Sequence, residues 1–196
     1  MSSISDVLAD FSSRALEKYQ SFYEVADPDW RSPCELDEPF PFENQEVVRW
    51  KPMKREINHD LAGLKDELHP DLRAFYESFW SGGLEASEGN KPVSLIQIWN
   101  VEDLIRLKEN LVGHLTAKKV MGYPLTGFFA CTSPDSDFIL SVDTEHGWVV
   151  VEKPGYRSKR RIADSLEEFL LELSPADPWN HPERSCLREL WDKNVG

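Results

Sequence analysis

Five histidines, three cysteines and 35 carboxylates are the side chains with an obvious capacity for chemistry, and their spacing decides what is open to them. His59, His69, His114, His146 and His181 form neither H-E-x-x-H nor a zinc spacing with paired cysteines. His114 sits near a leucine stripe; it reads either as a general base or metal ligand, or as a hydrogen-bonded, half-buried histidine of the fold. Cys34, Cys131 and Cys186 are odd in number and lack C-x-x-C, which fits reduced thiols in a cytosolic protein. Cys131, inside an apolar run, reads as an inert core thiol. Cys34, between Pro33 and an acidic stretch, is expected to be exposed, with neighbouring carboxylates raising its pKa. There is no G-x-S-x-G, Walker loop or G-x-G-x-x-G, and Gly82–Gly83 reads as a helix stop. Sequence-adjacent acids such as Glu102–Asp103 and Glu167–Glu168 suit helix N-termini better than acid–base pairs. The remaining catalytic reading is a carboxylate-metal hydrolase on Asp135, Asp137 and Asp143, which requires those groups to converge on an open metal position. The favoured expectation is no catalytic residue, no metal and no cofactor.

Charge is more informative. The formal net charge of −13 disfavours direct binding to nucleic acid or an anionic membrane and favours a basic partner. Two stretches concentrate the acids. Residues 27–46 hold seven carboxylates against the single base Arg31, and residues 135–152 hold five with no Lys or Arg. From these, Glu35, Asp37, Glu38, Glu43, Glu46, Asp135, Asp137, Asp143 and Glu145 are the candidate partner-binding surface. The basic runs Arg49–Arg55 and Lys153–Arg161 follow each stretch, and are read as offsetting or framing it rather than as phosphate sites.

The elements that would position these residues alternate in type. Ile4, Val7, Leu8, Phe11, Ala15, Tyr19, Phe22 and Tyr23 recur at helical spacing behind a Ser3–Asp6 capping box. Residues 27–46, with four prolines, read as a surface loop, followed by a strand at Val47–Lys51. A helical region over 60–80 is divided by Pro70. A strand at Val93–Trp99 precedes a helix over 101–121, with Asn100 as N-cap and leucines at 104, 107, 111 and 115. Strands at Gly127–Thr132, Phe138–Asp143 and Trp148–Glu152 make an antiparallel meander, with Tyr156–Ile162 a candidate fourth, before a helix capped at Asp164 or Ser165. The order predicts an α+β fold, a mainly antiparallel sheet with helices packed on one side. Residues 1–174 are expected to form one domain. Residues 175–196, broken by prolines but carrying Trp179 and Trp191, are expected to be a docked C-terminal extension. The N-terminus lacks a secretory signal pattern, and no run of residues suits a membrane span.

The segments L95-I-Q-I-W99, E109-N-L-V-G-H-L115, G127-F-F-A-C-T132 and G155-Y-R-S-K-R160 leading to S165-L-E-E-F-L170 resemble the Syd family of SecY-interacting proteins, as do S32-P-C34 and F75-Y76. The resemblance runs from the first helix to about Leu173. It implies a SUKH-like fold and a non-enzymatic protein associated peripherally with the cytoplasmic side of the inner membrane, reached only through SecY. The oligomeric state is not readable from the sequence, and a monomer is the favoured expectation. The implied role is to bind abnormal or uncomplexed SecY and to monitor or restrain the translocase. The family's relation to SUKH immunity proteins leaves a second reading, an acidic protein that neutralises a basic toxin.

Overall fold

A computed structural model describes residues 3–56, 61–132 and 136–192. Helix α1 (Ile4–Tyr19) begins with the capping box, in which the Ser3 hydroxyl accepts from the Asp6 amide. It ends at Gln20, whose φ of 61° turns the chain out of the helix. Phe22 and Tyr23 therefore do not continue α1. They open β1 (Phe22–Val25), which pairs with β3 (Gln45–Trp50). β2 (Phe40–Phe42), expected to be loop, completes a three-stranded sheet in the order β1-β3-β2. Its Pro41 is tolerated because β2 is an edge strand.

A short ribbon joins β4 (Met53–Lys54) to β5 (Phe79–Trp80). Between them lies helix α2 (Pro70–Glu77), with Pro70 in its first turn. Gly82–Gly83 is not the helix stop expected of it, because α2 ends at Glu77 and β5 intervenes. A Cβ on Gly82 would lie 2.6 Å from the Trp50 ring, so the residue permits a close approach.

The principal sheet has seven strands, ordered β11-β10-β9-β8-β7-β6-β12, every neighbouring pair antiparallel. Strands β6 (Leu84–Glu88) and β7 (Lys91–Leu95) form a hairpin whose turn uses Gly89 at φ 59°. Helix α3 (Val101–Met121) follows, capped by Asn100, whose side chain accepts from the Asp103 amide, and closed by Gly122. Then come β8 (Thr126–Cys131), β9 (Ile139–Asp143), β10 (Val149–Glu152) and β11 (Arg160–Ala163), the expected meander. Helix α4 (Leu166–Glu172) starts at the Ser165 cap, and β12 (Ser174–Pro175) returns to the edge of β6.

The sheet and α1–α4 share one core. Leu111 of α3 and Leu72 of α2 meet over Gly127, and Phe129 of β8 packs edge-on to Phe75 and Phe169. Beyond β12 the chain passes through two short 3-10 turns into α5 (Arg188–Asp192). Leu187 and the fully buried Trp191 pack with Tyr19, Tyr23 and Val47, and the Trp191 indole donates to the Ser21 carbonyl.

Candidate functional site

Alternation along the strands creates two environments on the sheet. In β6 and β7 the residues Leu84, Ala86, Val93 and Leu95 are buried in the core. The intervening residues point the other way. Glu85 pairs with Ser94, Ser94 with Cys131, and Cys131 with Ile139, a cross-strand row that lines an open groove.

The groove has two chambers. The larger, about 620 Å³, is bordered by the carboxylates of Glu24, Asp27, Glu35, Asp103 and Glu183, with Trp30, Trp99 and the backbone of Gly82–Gly83. The smaller, about 450 Å³, adds Glu85 and Asp137 to apolar walls from Pro92, Phe138, Ile139 and Pro154. The chambers share Ser94, Cys131, His181 and Glu183, so they are continuous. Among the described residues the only lysine or arginine that lines the groove is Arg184, whose guanidinium is already bound to Glu24 at 2.8 Å. The result is a concave acidic surface of polar and apolar patches, suited to a segment carrying cationic side chains with aliphatic stems.

Several of the acids have internal work. The Asp103 carboxylate accepts from the Trp99 amide at 2.9 Å, and Glu35 accepts from the Ser32 amide at 2.8 Å and from Arg31. Glu85 accepts from the Ser94 hydroxyl at 2.7 Å. Burial raises the Glu85 carboxyl above its ordinary pKa, and the Ser94 hydroxyl and the charge of Arg184 oppose that only in part.

Of the candidate acids among the described residues, the structure brings Glu35 and Asp137 to the groove. Asp137 is bound by Lys153 at 2.8 Å, which lowers its pKa. Asp37 and Glu38 sit in a shallow depression that adjoins the larger chamber at Glu35, paired with Arg49 at 2.7 Å and Arg31 at 3.7 Å respectively. Glu43 and Glu46 lie exposed on the β2–β3 hairpin. Asp143 and Glu145 are at the opposite end of β9 from Asp137, where Asp143 accepts from the amides of Glu145 and His146. Asp135 lies outside the described residues. Asp137 and Asp143 thus do not converge as a hydrolase would require. Among the described residues no group of three or more His, Cys, Asp or Glu is placed to hold a metal ion.

Two cysteine expectations are reversed. Cys34 is buried, not exposed, and desolvation pushes its thiol up to about 12. Cys131 is not a core thiol but part of the groove floor, and its pKa is raised first by burial and then by Glu85. The groove acids Glu24, Glu85 and Glu183 lie outside both acidic stretches. Glu85 carried a signal, a charge alternating between the apolar Leu84 and Ala86.

His114 belongs to a second polar cluster, enclosed between α3 and the sheet. Its Nε2 lies 3.0 Å from the Thr126 hydroxyl and 3.3 Å from the Glu152 carboxylate. Lys118 and Glu152, both fully buried, form an ion pair, and Thr126 donates to Glu152 at 2.6 Å. Burial alone would raise the Glu152 carboxyl, but hydrogen bonding with His114, Lys118, Ser141 and Thr126 outweighs it and holds the pKa at about 2. This cluster has no opening to the groove chambers and reads as a structural device.

Among the described residues no helix is long and apolar enough to cross a membrane. The family model described as "Syd protein (SUKH-2)" matches residues 1–175. A Protein Syd of Pseudoalteromonas atlantica is 35% identical over 177 residues, covering 88% of this chain and 94% of the relative. Relatives of the same name from Colwellia psychrerythraea and Tolumonas auensis are 32% and 38% identical, covering 76% and 74% of this chain and 78% and 73% of theirs. The acidic, mainly antiparallel α+β chain is a member of the Syd (SUKH-2) family.

Proposed function

We propose that this protein is a non-enzymatic binder of SecY, docking the basic cytoplasmic loops of that channel subunit in its acidic groove. The observation that carries the reading is the groove itself: among the described residues, seven carboxylates around two joined chambers, with one guanidinium that is already paired. Cytoplasmic loops of membrane proteins are enriched in Lys and Arg, so the charges are complementary. On this reading the protein is peripheral on the cytoplasmic face of the inner membrane and reaches it only through its partner. A loop must be uncovered to enter a groove. That favours SecY that is abnormal or uncomplexed, and makes the role one of monitoring or restraining the translocase.

The test is capture of detergent-solubilised SecY on immobilised protein, with association followed at several salt concentrations. The Debye length falls from about 30 Å at 0.01 M salt to about 8 Å at 0.15 M, so the association rate should fall steeply over that range. No capture, or a rate flat with salt, defeats the reading.

A further inference from the structure

The C-terminal segment runs along one rim of the groove. It leaves the sheet at β12, where the Ala176 amide donates to the Glu85 carbonyl at 3.0 Å. His181 and Glu183 then border both chambers. Arg184 follows, only 4% exposed, and ties this rim to three other parts of the chain. Its Nε donates to Glu24 of β1 at 2.8 Å, a terminal nitrogen donates to the Gly83 carbonyl at 2.8 Å, and the guanidinium lies 5.5 Å from the centre of the Trp50 ring. Below it, Leu187 and Trp191 are wholly buried. The family model ends at residue 175, so this rim lies outside the matched portion.

A cation in a groove for a basic partner is out of place on charge alone, since like charges repel. Arg184 avoids that cost because it is buried and bound to a carboxylate, and both of its hydrogen bonds hold the segment against the groove. Without the rim, the Glu85–Ser94–Cys131 row would be an open sheet face, where water screens every charge. With it, the row becomes the floor of a walled trough.

We infer that residues 176–192 form a specificity-determining wall of the groove, in which His181 and Glu183 face a basic partner segment and Arg184 is the positioning residue that latches the wall in place. The inference rests on the reading of the groove as a receptor for a basic segment. It adds that recognition depends on a part of the chain beyond the matched family region.

The test uses the full chain with a fluorescent oligoarginine peptide at low salt, and solubilised SecY in parallel. Glu183→Lys should weaken peptide binding about tenfold, while Glu17→Lys, the same charge change on the exposed side of α1, should weaken it less than about twofold. Arg184→Met separates latch from charge. Loss of a cation should tighten peptide binding if charge alone matters, and weaken it if the wall has come loose. In the Arg184→Met background Glu183→Lys should have a much smaller effect than in the parent, because the two residues act through one wall. Arg184→Lys should restore part of the binding, since lysine keeps the charge but not the fork that grips two acceptors. Equal effects of Glu183→Lys and Glu17→Lys, tighter binding by Arg184→Met, or simple additivity would each overturn the inference. Should Arg184→Met fail to fold, the Glu183 and Glu17 pair decides alone. If the parent ignores SecY while Glu183→Lys still cuts peptide binding, the SecY reading falls and the wall stands. If SecY is bound equally by the parent and Glu183→Lys, the wall falls and the SecY reading stands.

Discussion

Glu85 and Glu152 occupy the two ends of one cross-strand row, Glu85–Ser94–Cys131–Ile139–Glu152, and their surroundings push them in opposite directions. Both are substantially removed from water, and burial raises both. Glu152 meets His114, Lys118, Ser141 and Thr126, and its pKa ends at about 2. Glu85 meets one hydroxyl, and its pKa ends above the ordinary value. The number of donors, not the depth of burial, sets the sign. Glu152 is saturated by its own protein and has nothing left to offer a partner. Glu85 retains acceptor capacity that an incoming cation can use.

Glu152→Ala leaves the Lys118 ammonium buried without its counter-charge and should cost about 3–5 kcal/mol in urea unfolding. Pairing Lys118→Met with Glu152→Leu should recover most of that loss, because an apolar pair needs no compensation. A loss below about 1 kcal/mol for Glu152→Ala would mean that the ion pair is solvated.

A titration sharpens the same contrast. The folded pKa of Glu152, about 2, lies below its ordinary value of 4.5. Its contribution is therefore complete above pH 4.5 and is lost as pH falls toward 2, amounting to roughly 3 kcal/mol. The acid limb of stability against pH should flatten in the Lys118→Met, Glu152→Leu double variant. An unchanged limb would assign acid unfolding to other carboxylates.

Glu85 has the opposite sign. Its raised folded pKa means that its contribution is present at low pH and lost as pH rises through the folded value. Glu85→Gln should therefore leave stability at neutral pH equal or up to about 1 kcal/mol higher, yet weaken oligoarginine binding. Destabilisation with binding intact would show Glu85 to be structural.

The smallest effects belong to the rim. Asp27→Lys should slow association at low salt more than Asp37→Lys, since Asp27 borders the groove and Asp37 is held by Arg49 outside it. Neither change should move stability by more than about 0.5 kcal/mol. Stopped-flow mixing with the peptide measures the first, thermal unfolding the second.

The fold was most legible where local signals agreed. Helix α3 has a capping asparagine, a leucine stripe and a terminal glycine, and the meander has short turns between β-branched runs. It was least legible where a local cue misled. The apolar spacing of α1 continues through Phe22 and Tyr23, but the positive φ at Gln20 is not written in periodicity. Strand β6, Leu84–Glu88, has no β-branched residue and carries no strand signal of its own; it exists because β7 and β12 pair with it on both sides. The site was legible only as composition. An acidic surface follows from net charge, but Glu24, Glu85, Asp103 and Glu183 reach the groove from four separate parts of the chain, and only tertiary structure brings them together. Conversely, most acids of the stretch 27–46 are engaged by nearby arginines or stand exposed on the β2–β3 hairpin.

The bare backbone at Gly82 has a consequence for how changes would travel through this molecule. Its φ is not in the left-handed region, so the peptide geometry would accept alanine. The obstacle is mechanical: the added methyl would meet the Trp50 ring at 2.6 Å and the Arg184 guanidinium at 3.0 Å simultaneously. Trp50 in turn stacks on Phe22 and meets Trp99 edge-on, so it has little room to yield. The easier motion is outward, through Arg184. A single carbon inserted at position 82 would act as a wedge, with its displacement delivered to the C-terminal rim of the groove.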